Sequence, residues 1–301
     1  MNPTPGVDPG RLPPWARKGD VLSRAARPLR RLLRAGRLHS VCEEARCPNL
    51  AECFSRGTAT FLLLGEACTR RCAYCAVTTA RPDAPDPSEP ARVAATAARL
   101  ELDHVVLTAA ARDDLADGGA GHFAAAVQEL REQRPQARVE LLIPDFQGHA
   151  GPLETVVRAR PDVLNHNIET VPRLFPRLRP QGSYQRSLSL LARAKALRPA
   201  QVTKSGLMVG LGESDVEVDQ TLRDLRRAGV DVLTIGQYLR PSRRHAPVER
   251  YVSPRDFEVF AARARALGFP GVFSGVFVRS SYHAGDVLAR LVPAQSGGGR
   301  P

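Results

Sequence analysis

The chain of 301 residues, 43% of them hydrophobic, is long enough to bury one large core, most simply in an α/β domain. No run approaches the roughly 18 consecutive apolar residues of a membrane span, so we expect no membrane partner. The net charge of +12 could indicate nucleic acid, but residues 1–40 hold nine Lys/Arg against Asp8 and Asp20, which is +7 of the total. The excess therefore belongs largely to an N-terminal arm, and we expect no nucleic-acid partner.

The basic N-terminal arm, residues 1–40, has two parts. Its first twenty residues carry five prolines and three glycines, a composition typical of irregular structure. Residues 21–38 place leucines at helical spacing among arginines, with Pro28 interrupting the pattern. Two interpretations stay open: an amphipathic helix docked on the domain, or a basic patch that recognises an acidic partner. The opening MNPTPGVDPG lacks the features of a secretory signal, so we expect a cytoplasmic protein with reduced cysteines.

All six cysteines fall into two triplets within 34 residues. The first triplet is spaced C-x4-C-x5-C and the second C-x3-C-x2-C: Cys42, Cys47, Cys53, then Cys68, Cys72, Cys75. A free cysteine is more often a small buried apolar residue than a ligand. Because no cysteine lies outside the triplets, the pattern indicates metal or redox chemistry.

The second triplet follows the apolar run of residues 60–64. Three thiolates at this spacing can hold three corners of a cubane iron–sulfur cluster and leave its fourth iron open to a small molecule. Zinc is the main alternative, but a structural zinc site takes four ligands in paired C-x2-C knuckles. The spacing therefore favours a cluster.

The word Cys68-Thr-Arg-Arg-Cys72-Ala-Tyr-Cys75 resembles the signature of the radical S-adenosylmethionine (SAM) superfamily. Two further motifs narrow the resemblance to the lipoyl synthase family: CEEARCPN and RGTATFLLLGEACTRRC. It continues, from about Leu38 to Gly285, through VLTAAARDDLADGGAGHF, IPDFQG, PDVLNHNIETVPRL, TKSGLMVGLGE, TIGQYLRPSRRH and VRSSYHA.

A repeating β/α pattern runs through the same segments. Strands are predicted at 60–64, 104–108, 138–143, 163–168, 202–209 and 231–236, with helical stretches between them. Such alternation predicts a parallel sheet with right-handed crossovers, closed or partly closed into a barrel, with its active site at the carboxyl ends of the strands. The resemblance implies an α/β fold, a partial (β/α)6 barrel of the radical SAM type with N-terminal and C-terminal extensions.

Four segments follow from this fold. The basic arm precedes an auxiliary-cluster segment, the barrel comes next, and a C-terminal segment contains the RSSY motif and a flexible tail. Their predicted bounds are 1–40, 41–58, 59–270 and 271–301.

The resemblance also implies cofactors and a reaction. Cys68, Cys72 and Cys75 would hold a [4Fe-4S] cluster that, with SAM, generates a 5′-deoxyadenosyl radical. A second, auxiliary [4Fe-4S] cluster would donate two sulfur atoms to C6 and C8 of a protein-bound octanoyl-lysine. Its ligands would be Cys42, Cys47, Cys53 and Ser281. The activity is that of a sulfurtransferase.

The resemblance further implies partners. The substrates would be octanoylated lipoyl carrier domains of 2-oxoacid dehydrogenases and the glycine cleavage carrier protein. A ferredoxin- or flavodoxin-type protein would donate electrons. The arginines after the sixth predicted strand, Arg240, Arg243 and Arg244, could contact a carrier or could merely cover the barrel rim together with His245.

Polar residues at strand ends are candidates for binding SAM. Asn167 and Glu169 share strand parity, and Glu169 suits a nucleoside contact. His166 has the opposite parity and is better interpreted as structural. Lys204 could meet the SAM carboxylate through charge-assisted hydrogen bonds.

After the second predicted strand, Arg112 is expected to face the cluster loop, with Asp113 and Asp114 beside it. The aspartates could instead cap a helix. Where the family usually has Ser-Val-Asp, this chain reads Ala109-Ala110-Ala111. Any cofactor contact of the family's serine or aspartate is therefore not available from these side chains.

Two other functions fit part of the pattern. A radical SAM methylthiotransferase acting on RNA would also pair two clusters, but it would normally add an RNA-binding module, and no composition shift after residue 200 indicates one. An iron–sulfur electron carrier or sensor would need clusters but no polar barrel rim. Loss of SAM cleavage would indicate that second function.

Overall fold

The computed structural model describes residues 12–17, 27–44, 49, 52 and 59–281, with the backbone alone at 27–30, 42 and 44. Its strands are β1 (His39–Ser40), β2 (Ala59–Leu63), β3 (Ala67–Cys68), β4 (Thr78–Thr79), β5 (His104–Ala109), β6 (Arg138–Leu142), β7 (Val163–Asn165), β8 (Val202–Val209), β9 (Val232–Gln237) and β10 (Gly271–Gly275). The helices are α1 (Arg27–Ala35), α2 (Val41–Glu44), α3 (Glu89–Arg99), α4 (Ala120–Gln133), α5 (Ala150–Arg158), α6 (Phe175–Leu178), α7 (Tyr184–Leu197), α8 (Asp215–Arg227) and α9 (Pro254–Ala266). The predicted ligands Cys47 and Cys53, the side chain of Cys42 and the predicted tail lie outside the described residues.

An open, mostly parallel sheet forms the centre of the fold. Its order is β1-β2-β5-β6-β7-β8-β9-β10, with β1 antiparallel to β2 and all other pairs parallel. β1 and β10 do not pair within the described residues, so the sheet curves without closing. The predicted α/β fold with a partial barrel is confirmed.

The six predicted strands are present, with two differences. β7 ends at Asn165 rather than at residue 168, and a seventh parallel strand, β10, pairs with β9. The sequence of β10, GVFSG, has a glycine at each end and only three larger residues. Such a run is too short to stand out as a strand by its apolar pattern.

Strand alternation separates an apolar outer layer from a polar interior. Val105, Leu107, Val139 and Leu141 belong to the main core, together with helix residues such as Phe123. The alternate positions of the same strands face inward and are buried but polar: His104, Glu140, Asn165 and Lys204. The core thus lies between the sheet and the helices, and the barrel interior is left for polar groups.

Two helices behind the sheet begin with reciprocal capping boxes. Ser214 and Glu217 bond to each other's backbone N–H groups at the start of α8, and Ser253 and Asp256 do the same at the start of α9. Such boxes satisfy N–H groups that a helix leaves without partners, which fixes where each helix begins.

The N-terminal arm packs on the domain through α1. Leu33 and Leu38 join the main core, whereas Arg31, Arg34 and Arg37 are exposed. This arrangement agrees with the docked amphipathic helix, and recognition of an acidic partner stays a prediction. Within the described residues, every helix is too short or too polar to cross a bilayer.

Candidate functional site

The loop that carries the second cysteine triplet begins directly after β2. Leu64 and Gly65 adopt positive φ angles of 64° and 82°, which turn the chain at the end of the strand. This conformation strains a non-glycine residue. Leu64 is held by its neighbours: its N–H donates to Glu89 at 2.8 Å, and its carbonyl accepts from Arg112 Nη1 at 3.0 Å.

Arg112 therefore braces this turn and does not face the cofactor site. Its guanidinium also donates to the Asp83 carbonyl at 2.8 Å and to Asp114 at 2.9 Å, and its side chain is buried. The structure contradicts the prediction that Arg112 binds cofactor. The error has a simple cause, because position after a strand does not reveal which way a long side chain folds.

Cys68, Cys72 and Cys75 are half-buried and line one cavity of about 210 Å³. We call it the thiol cavity. Its polar lining includes Arg70, Tyr74, Thr108, His166, Asn167, Glu169 and Arg179. Its apolar lining includes Val41, Leu62, Val77, Ala109, Ala110, Ala111, Leu142, Ile143 and Pro144.

The three thiols fit a cluster better than a single ion. No three His, Cys, Asp or Glu side chains in the described part of the chain come close enough to hold one metal ion. A cubane does not require this, because each of its irons takes its own thiolate. Burial raises the pKa of Cys75 to about 12 and also raises that of Cys72, although nearby Arg179 partly offsets the shift of Cys72. The positive charge of bound iron would favour the thiolates.

A network of ion pairs holds the loop that carries the second cysteine triplet, which we call the cluster loop. Arg70 donates to Asp113 at 2.6 Å and to Asp145 at 2.6 Å, and Asp145 also accepts from Arg186 at 3.1 Å. Arg70 also donates its backbone N–H to the Cys68 sulfur at 3.4 Å. Asp113 thus serves an ion pair rather than a helix cap.

Asn167 and Glu169 both line the thiol cavity, but strand parity does not explain this, because β7 ends at Asn165 and His166 lines the same cavity. Glu169 has a φ of 68°, an unfavourable angle for glutamate, at a place where the chain leaves the sheet. Burial raises the pKa of Glu169, while Arg179 and the Asn167 amide act in the opposite direction. The Asn167 Oδ1 atom is buried and has no hydrogen-bond partner among the described residues. These groups leave hydrogen-bonding capacity for a ligand.

Arg179 is a second arginine of this cavity beside Arg70, which is paired with Asp113 and Asp145, and sequence reasoning missed it. Its side chain is 8% exposed, and its Nη1 donates to the Asn167 carbonyl at 3.1 Å. Burial acts to lower its pKa, but interactions with neighbouring acidic groups such as Tyr74 and Glu169 outweigh this and raise it, so the guanidinium stays charged. Its only sequence signal is its position in LRPQGSY, just beyond the word that contains Glu169.

Lys204 does not reach the thiol cavity. Its ammonium donates to both carboxylate oxygens of Glu140, at 3.0 and 3.1 Å, and its side chain is 1% exposed. The prediction that Lys204 meets the SAM carboxylate is therefore wrong. Lys204 is the third residue of β8 and lies one layer deeper than Gly206, which faces Asn167.

His166 is a satisfied structural histidine, as expected. Its Nδ1 lies 2.8 Å from the Ile143 carbonyl and its Nε2 lies 2.9 Å from the Ser187 hydroxyl. Burial, reinforced by Arg179, lowers its pKa to about 4. The ring is therefore neutral at physiological pH.

The three alanines after β5 line the cavity with methyl groups. Polar contact comes from the backbone instead, because the Ala111 carbonyl accepts from the N–H of Thr69 at 3.0 Å and from its hydroxyl at 2.9 Å. The contact joins the cluster loop to the second strand of the barrel without any side chain from the alanines.

The predicted oxygen ligand, Ser281, lies half-buried in a turn after β10. The preceding Ser280 accepts a hydrogen bond from Asn167 Nδ2 at 3.0 Å. Asn49, which lies within the first cysteine triplet, is buried and donates to the Phe277 carbonyl at 2.5 Å. The fold therefore brings the segment of the Ser281 turn next to the thiol cavity and to Asn49.

A loop after β9 covers the outer side of the cluster loop. His245 Nε2 lies 3.0 Å from the Cys75 carbonyl, and the Ala246 N–H donates to the Ala73 carbonyl at 2.8 Å. No residue of 240–246 lines the thiol cavity. This segment covers the rim, whereas contact with a carrier stays a prediction.

Comparison with known proteins identifies the family. The model of the radical SAM superfamily matches residues 62–225, more than half of the chain. Lipoyl synthase of Nitratidesulfovibrio vulgaris (Hildenborough) is 55% identical over 274 residues, which is 91% of this chain and 91% of the relative. Lipoyl synthase of Methylococcus capsulatus (Bath) is 55% identical over 94% of this chain and 89% of its own length, and that of Escherichia coli O1:K1 is 52% identical over 93% and 88%.

Solved structures support the fold. The FeFe-hydrogenase maturase HydG of Carboxydothermus hydrogenoformans superposes with a TM-score of 0.58 at 14% identity, covering 89% of this chain and 69% of that one. Methylornithine synthase superposes with a TM-score of 0.53 at 16% identity, covering 82% and 70%. The cysteine loop, the open barrel and these relatives agree, and the chain belongs to the lipoyl synthase family of the radical SAM superfamily.

Proposed function

We propose that this chain is a sulfurtransferase that inserts two sulfur atoms at C6 and C8 of an octanoyl-lysine on a carrier protein, forming the lipoyl group. The observation that carries the proposal is the convergence of three thiols with Glu169 and Arg179 on one cavity. Relatives named lipoyl synthase that share 52–55% identity support the same reaction.

Cys68, Cys72 and Cys75 would hold a [4Fe-4S] cluster at the mouth of the barrel. When bound, the cluster and SAM together supply a carbon radical that removes hydrogen from an unactivated C–H bond. Such a bond offers no handle to an acid or a base. The chain's own task is therefore to position the reactants and to exclude water.

The remaining cavity residues divide this task. Glu169 and Asn167 offer acceptors to the hydroxyls of a ribose, and Arg179 offers a charged donor to the SAM carboxylate. The apolar wall of Leu62, Leu142 and neighbouring alanines suits an octanoyl chain. Arg112 and Lys204 have no part in this assignment.

Cys42, Cys47, Cys53 and Ser281 would hold the auxiliary [4Fe-4S] cluster, which supplies the sulfur. The Asn49–Phe277 contact and the position of Ser280 against Asn167 support this assignment, because Asn49 lies between Cys47 and Cys53 in the sequence and Ser280 precedes Ser281. A serine oxygen is a harder ligand than a thiolate and suits a cluster that must open during turnover.

The partners follow from the reaction. The substrates are octanoylated lipoyl carrier domains of 2-oxoacid dehydrogenases and the glycine cleavage carrier protein, and the reductant is of the ferredoxin or flavodoxin type. We place the reaction in the cytoplasm, a reducing compartment that keeps cysteines available as cluster ligands.

Mass spectrometry of an octanoyl-lysine peptide tests the proposal. We expect a gain of two sulfurs after anaerobic incubation with cluster-loaded protein, SAM and dithionite, and loss of that gain in Cys68→Ala and Ser281→Ala. The matched control is Ser274→Ala, whose hydroxyl donates to the Phe257 carbonyl away from the cavity. If 5′-deoxyadenosine appears but the peptide is unchanged, the substrate is wrong; if neither product appears with both clusters intact, the chain is an electron carrier.

A further inference from the structure

Two adjoining loops at the barrel mouth carry positive charge without any acidic residue. Residues 67–82 and 232–248 contain six arginines and no aspartate or glutamate. Five of these arginines are exposed. Arg240 donates to backbone carbonyls of its own loop and Arg81 acts on Asp114, whereas three have no side-chain partner in the part of the chain that the structure describes: Arg71, Arg243 and Arg244. We call these three residues the arginine rim.

The arginine rim lies close to the predicted cluster ligands. Arg71 is the residue immediately before Cys72. On the other loop, His245 follows Arg244 directly and lies 3.0 Å from the Cys75 carbonyl. One hydrogen bond therefore separates this loop from the backbone of a cluster ligand, and a short path of this kind favours electron transfer.

The loop behind the rim is held in a fixed conformation. Arg240 donates to the His245 carbonyl at 2.9 Å, and His245 Nδ1 lies 2.8 Å from the Ser242 hydroxyl. The buried Tyr238 donates its hydroxyl to the Ala246 carbonyl at 2.9 Å. The exposed Arg243 and Arg244 thus project from a braced support, and no residue of 240–246 lines the thiol cavity.

We propose that the arginine rim is the docking surface for the electron donor, a small acidic protein with a low-potential flavin or iron–sulfur group. This inference rests on the proposed function, because it assumes a cluster at Cys68, Cys72 and Cys75. One electron leaves the donor, which is oxidised, and enters the cluster, which is reduced. Complementary charge accelerates such encounters and selects the partner.

A second basic surface fits this role less well. Arg31, Arg34 and Arg37 lie on or just after α1, and Arg34 and Arg37 line a cavity of about 740 Å³. Four carboxylate side chains line that cavity as well: Glu43, Asp83, Asp86 and Glu89. Its mixed charge would repel part of an acidic partner, whereas the two loops around the arginine rim have no such groups.

Charge reversal tests the proposal in the cluster-loaded full chain. The test variant is Arg243→Glu/Arg244→Glu, and the matched control is Arg255→Glu/Arg265→Glu, two exposed arginines on α9 with the same change in charge. The probe is a flavodoxin reduced to its hydroquinone. The measurements are its affinity for the protein and the rate at which the absorbance of the cluster bleaches.

We expect the test variant to weaken flavodoxin affinity and slow bleaching by about tenfold or more at low salt, with the difference shrinking as salt rises. The control should change both by less than about twofold. With dithionite as reductant, both variants should form 5′-deoxyadenosine at the wild-type rate. An equal loss in both variants, or an equal loss with dithionite, would overturn the docking site.

A different partner would give a different pattern. If flavodoxin affinity is unchanged while turnover of an octanoylated carrier domain falls under dithionite, the rim belongs to the carrier and the proposal is wrong. If the wild type forms no 5′-deoxyadenosine with dithionite, the proposed function fails, whereas flavodoxin affinity still reports on the rim by itself.

Discussion

Two glutamates lie at two levels of the same barrel interior and have opposite electrostatics. At the lower level, Lys204 donates to both oxygens of Glu140 and, despite the cost of burial, lowers the pKa of Glu140 to about 2. At the upper level, burial raises the pKa of Glu169, and no cation bonds to it directly within the described residues. The lower carboxylate is satisfied by the fold, and the upper one is left for a ligand.

The two levels show how structural and functional polar residues inside a barrel can be distinguished. Residue type does not distinguish structural from functional residues, because both levels contain asparagine, glutamate and a basic residue. What differs is whether charged groups pair with each other. A buried pair is costly to break, whereas an unpaired group at the rim keeps free energy available for binding.

Lys204→Met should give the largest effect. Because it leaves Glu140 buried without a counterion, we expect a loss of about 3–5 kcal/mol in the free energy of unfolding. Denaturant unfolding measures this. Glu140→Gln/Lys204→Met should recover most of the loss, and SAM affinity of the folded double variant should match the wild type. A selective loss of SAM affinity with normal stability would restore Lys204 as a cofactor ligand.

The same pair should make stability depend on acid pH. The folded pKa of Glu140, about 2, lies below its ordinary value of 4.5. The contribution of the pair is therefore complete above about pH 4.5 and is lost as pH falls toward 2. Unfolding of the wild type and of the double variant, compared from pH 5 to 3, isolates this contribution. Parallel curves would show that the pair does not titrate in this range.

Glu169→Gln should act on binding rather than on stability. If Glu169 accepts from ribose hydroxyls, as we propose, replacing its carboxylate should weaken SAM affinity by about tenfold, which is roughly 1.4 kcal/mol. The free energy of unfolding should change by less than about 1 kcal/mol. Calorimetric titration with SAM and denaturant unfolding measure the two quantities. Glu140→Gln is the same substitution at the lower level and serves as the control. A large loss in the free energy of unfolding of Glu169→Gln would contradict the proposed difference between the two levels.

Ser280→Ala should give the smallest effect. It removes the acceptor of the Asn167 amide, a hydrogen bond worth about 0.5–1.5 kcal/mol. Amide hydrogen exchange around residues 276–281 should rise severalfold, while the helices behind the sheet stay protected. Ser274→Ala, in the same segment, should leave that turn unchanged. Equal exchange in both variants would show that the Asn167 contact does not hold the turn.

Much of the fold and part of the site could be predicted from the sequence. Apolar or β-branched segments marked six strands, and β10 was missed because it has a glycine at each end and only three larger residues. Asn167 and Glu169 were assigned to one cavity by strand parity, but they lie beyond the end of β7, and what could be predicted was only that polar groups following a strand gather at the barrel mouth. Lys204 has the right parity but the wrong depth, and its position near the start of β8 was the available signal. Arg179 could not be assigned because its approach depends on how a loop folds back.

One contact also limits the order in which the molecule can be completed. The side chain of Asn49 binds the carbonyl of Phe277, 228 positions later in the chain. During synthesis, the segment around Asn49 leaves the ribosome long before its partner exists, and a barrel that folds from its N-terminal end cannot anchor that segment until the last strand emerges. A cell that loads metal before release of the finished chain would find the first cysteine triplet without this anchor.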